Sequence, residues 1–146
     1  MLRYTKAVVL IAACFGLLSC QQYTQGLEKS VTRADEVGAI SALRTVLLAQ
    51  RSYSLSNNGS YATFPELVKI KALDERFDAE TPKLKGYVLT MTITKGTSPE
   101  PDSFTLTANP ETPGTQPGRY FFVDSSGMIH VNPSQPATAS DPPLGQ

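Results

Sequence analysis

The sequence predicts an α+β domain: a long N-terminal α-helix packed on a small antiparallel β-sheet of three to four strands. Two patterns lead there. Apolar residues recur at helical spacing from about Val31 to Leu55, and after Gly86 the period drops to two through several short segments bounded by Pro, Gly, Asn and Asp. The strands follow the helix as a group, which is the α+β order.

Ahead of the helix, Arg3 and Lys6 form a basic start, Ala7 to Leu18 an apolar run, and small Ser19 stands before Cys20. This is the layout of a secretory signal. The run is too short to span a bilayer, which takes about 20 apolar residues. Leu17-Leu18-Ser19-Cys20 resembles the cleavage box of bacterial lipoproteins. That resemblance implies residues 1–19 as a signal peptide, a cut before Cys20, diacylglycerol on the Cys20 thiol, and acylation of the new amine. More than one acyl chain gives stable anchoring, at about 0.8 kcal/mol per buried CH₂. Gln21 after the cysteine suggests, by the best-known sorting rule for such proteins, transfer to the outer membrane. The alternative is the periplasmic face of the inner membrane.

Cys14 leaves with the signal, so no intramolecular disulfide is available and the body relies on its apolar core. Losing Arg3 and Lys6 turns a balance of 13 basic and 13 acidic residues slightly acidic. Such a surface gives no electrostatic case for a nucleic-acid partner.

Residues 20–30 read as the lipidated cysteine and a polar tether, and 31–131 as the globular domain. In the helix, Thr32 and Asp35 form a start signal. At about 100° per residue, Ala39, Ile40, Leu43, Val46, Leu47, Gln50 and Tyr53 share one side, fit to pack on a sheet. A second stripe of small residues, Gly38, Ala42, Thr45, Ala49, Ser52 and Ser56, lies roughly opposite. It reads either as a plain solvent face or as a possible interaction face, because Gly38 costs about 1 kcal/mol against Ala in a helix and close approach of another backbone would justify it.

Asn57-Asn58-Gly59-Ser60 ends the helix, and Thr63, Pro65 and Glu66 look like the cap and first turn of a short second one carrying Phe64, Leu67 and Val68 on its apolar side. Asp74, Glu75, Asp78 and Glu80, interleaved with Lys69, Lys71, Arg76, Lys83 and Lys85, read as a solvated connection. Tyr87, Leu89, Met91 and Ile93 then alternate with Val88 and threonines, and Phe104, Leu106 and Ala108 with Thr105 and Thr107, as an antiparallel pair. Tyr120 to Val123 and Ile129 to Val131 flank Asp124-Ser125-Ser126-Gly127 as a hairpin. From 132 to 146 the chain is rich in Pro, Ser and Thr with few apolar residues, and disorder is expected.

General acid-base or metal chemistry needs grouped His, Cys or carboxylates. His130 is the only histidine, in a strand where an exposed or paired ring is expected. No nucleophile elbow or glycine-rich phosphate loop is present. No enzyme activity, metal or cofactor is expected, apart from the covalent lipid on Cys20.

Several local strings match one family in order: Ala42-Leu43-Arg44-Thr45 and Ala49-Gln50-Arg51-Ser52-Tyr53, then Gly59-Ser60-Tyr61, Pro65-Glu66-Leu67 and Gly86-Tyr87. Phe104-Thr105-Leu106-Thr107-Ala108 and Tyr120-Phe121-Phe122-Val123-Asp124 with Gly127 follow. Over roughly Asp35 to Val131 the chain resembles the globular part of type IV pilin-like proteins, including the pseudopilins of type II secretion. It departs from them in lacking the Gly-Phe-Thr-Leu-Ile-Glu type processing site and the long apolar stem behind it. The resemblance thus implies a pilin-like head moved onto a lipid anchor, in a structural or interaction role with a protein partner in an envelope, secretion or pilus-related assembly. The alternatives are a true pilin or pseudopilin with a degenerate leader, or a small lipoprotein that is an enzyme or carries a ligand. Major pseudopilins bind calcium near their C-terminal strands. Asp124 and Ser125 have too few oxygen-bearing neighbours for six to eight ligands, so Asp124 is expected to be a turn residue.

Overall fold

A computed structural model describes residues 31–112 and 118–145. The segments expected to be a signal peptide and a tether, with Leu17, Leu18, Ser19 and Cys20, lie outside these residues. The chain is helical throughout 31–56 (α1), then forms α2 (Phe64–Lys69), a 3-10 turn (Glu75–Phe77) and five strands: β1 (Lys83–Leu84), β2 (Tyr87–Thr94), β3 (Ser103–Pro110), β4 (Tyr120–Asp124) and β5 (Ile129–Asn132). The strands form one antiparallel meander in chain order. The α+β class is as the sequence predicts.

The strand count is five rather than three to four. The added strand, Lys83–Leu84, lies in what reads as a solvated connection, and it pairs Lys83 with Val88 and Leu84 with Tyr87. Two residues are too few to show alternation. What makes them a strand is the turn between them and β2, where Lys85 (φ 46°) and Gly86 (φ 74°) both take the left-handed conformation of a type I′ hairpin. The same connection also buries Leu73 and Phe77, the latter stacked on Phe64 at 6.2 Å between ring centres.

Register puts one apolar set on one face. Leu89 pairs with Ala108, Leu106 with Val123, Ala108 with Phe121 and Val123 with Ile129, all buried. A slip of one residue would turn all of them outward. On the other face Thr90 pairs with Thr107 and Thr92 with Thr105. The apolar face meets α1, whose Ala39, Leu43, Val46 and Leu47 join the same core. Contacts fix the direction of α1: Glu36 meets Arg119 ahead of β4, Gln50 meets Met91 in β2, and Leu47 lies beside Gly127 after β4. The helix therefore runs along β2 and β4 in their own direction.

The buried arc of α1 is wider than the expected stripe. Ala42 and Ala49 are buried on one flank and Glu36 lies within the stripe itself, in line with Ala39 and Leu43, while Ile40 and Tyr53 are half-buried. Gln50 is wholly buried, and its amide makes two backbone bonds to one residue, donating to the Ala62 carbonyl at 2.5 Å and accepting from the Ala62 N–H at 3.1 Å. This satisfies a polar group that would otherwise cost about 1–3 kcal/mol to bury, and it holds the loop after α1 against the helix. Thr63 and Glu66 form the reciprocal cap of α2 that the sequence predicts, and the Thr63 N–H holds the Glu66 carboxyl below its usual range.

The expectation of disorder from residue 132 onward is corrected over residues 132–145. This segment folds back as a strap along the edge of β5: the Val131 N–H donates to the Pro142 carbonyl at 3.0 Å and the Leu144 N–H to the Ile129 carbonyl at 2.8 Å. Ala137 is buried and Leu144 packs on the core. Low apolar content hid this order because side chains rather than a core supply it. Asp141 accepts from the Asn132 amide at 2.7 Å and from the Thr138 N–H at 2.7 Å, and Asn132 accepts from the Ser134 and Gln135 N–H groups. The strap covers an edge that would otherwise be open to strand pairing.

The Thr138 N–H above all, with the Asn132 amide, holds the Asp141 carboxyl below its ordinary value of 3.8. A carboxylate lowered in the folded chain adds stability above that ordinary value and loses it as pH falls through the lowered one. Hydrogen exchange should therefore show Leu144 and Val131 losing protection below about pH 3.8, and at neutral pH in Asp141→Ala, before Leu106 in the sheet centre does. Equal loss at Leu106 would contradict a locally held strap.

Candidate interaction face

The small-residue stripe does not form one open surface. Ala42 and Ala49 are each 7% exposed and belong to the core, Gly38 is half-buried, and Thr45 and Ser52 face solvent. The Thr45 hydroxyl donates to the Ser41 carbonyl at 2.9 Å. Of the expected face, Gly38, Ala42 and Thr45 remain together, and they line a groove of about 290 Å³ with Ser41, the β1 end and Arg76.

The reason for Gly38 is a side chain rather than a second backbone. The left-handed turn after β1 aims Lys85 at the helix, and a Cβ on residue 38 would stand 3.1 Å from Lys85 Cδ. Glycine thus leaves room for the Lys85 stem. The far wall is basic but partly neutralised: Arg76 grips both oxygens of Asp74 at 2.8 Å, and Lys83 pairs with Glu111 at 2.5 Å. The Arg76 guanidinium, by its hydrogen bonds, holds the Asp74 carboxyl below its usual range. Both pairs are solvent-exposed, where ion pairs contribute little to stability.

The best-buried ion pair among the described residues joins Glu36 to Arg119, 83 positions apart, and no local pattern announces the pairing. Glu36 accepts from the Arg119 backbone N–H at 2.9 Å and from Arg119 Nε and Nη2 at 3.1 and 2.9 Å. The glutamate side chain is 12% exposed and the arginine 42%. The Tyr87 hydroxyl donates to the Arg119 carbonyl at 2.9 Å, and burial pushes its pKa up. A Cβ on Gly118 would collide with that hydroxyl, so glycine is required there by close approach. A carboxylate three residues before Ala39 and seven before Leu43, within the apolar arc, was the available signal.

Asp124 is a turn residue: its carboxylate accepts from the Ser126 N–H at 2.9 Å and its carbonyl from the Gly127 N–H at 3.0 Å. His130 Nδ1 lies 2.6 Å from the Asp141 carbonyl, so Nδ1 carries the proton, and the ring meets Phe122 edge-on. Among the described residues no three His, Cys, Asp or Glu side chains gather as metal ligands, and no helix is long and apolar enough to cross a membrane.

Two variants test this geometry. Gly38→Ala should stabilise the fold by about 0.5 kcal/mol in denaturant unfolding, since the flexible Lys85 stem can shift while the helix gains propensity; a loss of 1 kcal/mol or more, on the scale of that same propensity, would mean Lys85 is rigidly seated. Glu36→Gln should cost about 1–2 kcal/mol by the same measurement, the charge-assisted bonds being weakened by the exposure of Arg119, and no change would remove Glu36 as a pin.

The chain was compared with protein-family models, curated proteins and solved structures, and none of them matches it.

Proposed function

We propose that this chain is a lipid-anchored protein of the bacterial cell envelope, joined to the membrane through acylated Cys20, whose pilin-like head is a non-enzymatic structural or interaction component of an envelope, secretion or pilus-related assembly. The observation that carries it is Leu17-Leu18-Ser19-Cys20 at the end of a basic and then apolar start. Support for the pilin-like head comes from the order of its parts, one long helix lying along an antiparallel meander.

Radiolabelled palmitate should enter the wild-type chain and not Cys20→Ser, and inhibiting lipoprotein signal peptidase should make an uncut precursor accumulate. An unlabelled chain, or one cut by prepilin peptidase, would overturn the anchor. For the partner, Gly38→Leu and Thr45→Leu should abolish co-purification with an envelope protein while the head stays folded, because both line the groove beside Lys85. Unchanged co-purification by both would remove this groove as the docking site. Ala49→Leu is unsuitable here, since it would overpack the core.

A further inference from the structure

The solvent side of α1 carries a repeated pair. Arg33, Arg44 and Arg51 each stand four residues before a large apolar residue, Val37, Leu48 and Leu55 respectively. Residues four apart share a helix face, and the two rows have the same spacing, so they run side by side. Val37 is 67% exposed, Leu48 66% and Leu55 90%, and all three arginines are exposed. No acidic residue occurs between Glu36 and Glu66. Of the carboxylates at the start of the helix, Glu36 is held by Arg119, and Asp35 lies toward Gly86 after β1. Arg51 also donates weakly to the Ser126 carbonyl at 3.4 Å. The face is therefore cationic and apolar at once, and among the described residues of α1 no carboxylate on it offsets the charge.

We propose that this face of α1 lies on an anionic phospholipid surface, with Val37, Leu48 and Leu55 in the headgroup boundary and the arginines on lipid phosphates. The inference rests on the membrane-anchored reading above. A second copy is a poor occupant, because packing this face on itself brings arginine rows together. The three apolar side chains lie in a line about 27 Å long on a convex helix, which fits a flat surface better than a pocketed protein. Basic residues flanking apolar ones are the pattern of helices that lie in the interface, with the arginine heads reaching to the phosphates. The anchor would be close by: the residues between Cys20 and Val31 span at most about 36 Å when fully extended.

The chain contains no tryptophan, so Leu48→Trp is a lone reporter in the full chain purified from membranes and reconstituted in vesicles. Thr92→Trp, on the exposed sheet face away from α1, serves as the control. In phosphatidylcholine vesicles containing phosphatidylglycerol, acyl chains brominated near the headgroup should quench the Leu48→Trp reporter and leave the control bright. Quenching should weaken in high salt, and the ratio of docked to free heads should fall about fivefold for each of Arg33, Arg44 and Arg51 changed to Gln. Equal quenching in pure phosphatidylcholine, no quenching in either, or shielding of the reporter that grows with protein density instead of anionic lipid, would overturn the proposal. The anchor is scored separately on the same preparation by intact mass. A chain held by an uncut apolar run would still show quenching, and an acylated chain with a free head would not.

Discussion

Everything in this fold depends on covering the apolar face of a five-stranded sheet with one long helix. The sheet cannot bury that face alone, and α1 cannot leave Leu43, Val46 and Leu47 in water, each of which contributes about 1.5–3 kcal/mol when buried. Burial of this kind has no direction, so polar contacts at both ends of the helix set its register on the sheet. Glu36 on Arg119 fixes the start against the segment entering β4, and Gln50 on Ala62 fixes the far end against the returning loop. Charge and amide groups inside a core are costly unless satisfied. Here Glu36 is satisfied by the backbone N–H and guanidinium of Arg119, and Gln50 by the Ala62 backbone and Met91 Sδ, which converts a non-specific attraction into one arrangement.

The parts of the fold legible in the sequence are those where one residue pattern decides the outcome. The helix stripe, the period-two strands, the Thr63 and Glu66 cap and the Asp124 turn are all local. The rest was hidden because it depends on residues far apart in the chain. Ala42 and Ala49 resemble a separate stripe because small residues carry little apolar signal, yet both are 7% exposed and belong to the core. Strand β1 exists only because Lys85 and Gly86 turn it onto Tyr87. The C-terminal strap, poor in apolar residues, is held by Asn132 and Asp141 and by the edge of β5, and composition does not register such bonds. The Glu36 and Arg119 pair joins residues on opposite sides of the fold.

The same distinction bears on the candidate site. What approaches Gly38 is the Lys85 stem of the chain itself and not a second backbone. What had looked like a continuous small face is a core flank, a glycine slot and a short groove. With β5 covered by the strap and β1 short and basic, the sheet edges are blunted against pairing with other chains. Among the described residues, the threonine-rich sheet face and the arginine-bearing side of α1 are open surfaces. The proposed anchor would bring the second of these to the membrane, because only ten residues separate Cys20 from Val31 in α1.

The whole functional account stands on Cys20 as the lipid-bearing first residue of the mature protein. Intact-mass spectrometry of the protein extracted from membranes tests that most directly. The account predicts a chain that begins at Cys20 and carries the mass of diacylglycerol and an amide-linked acyl group. A chain that begins upstream of Cys20, or one with an unmodified thiol, would contradict it.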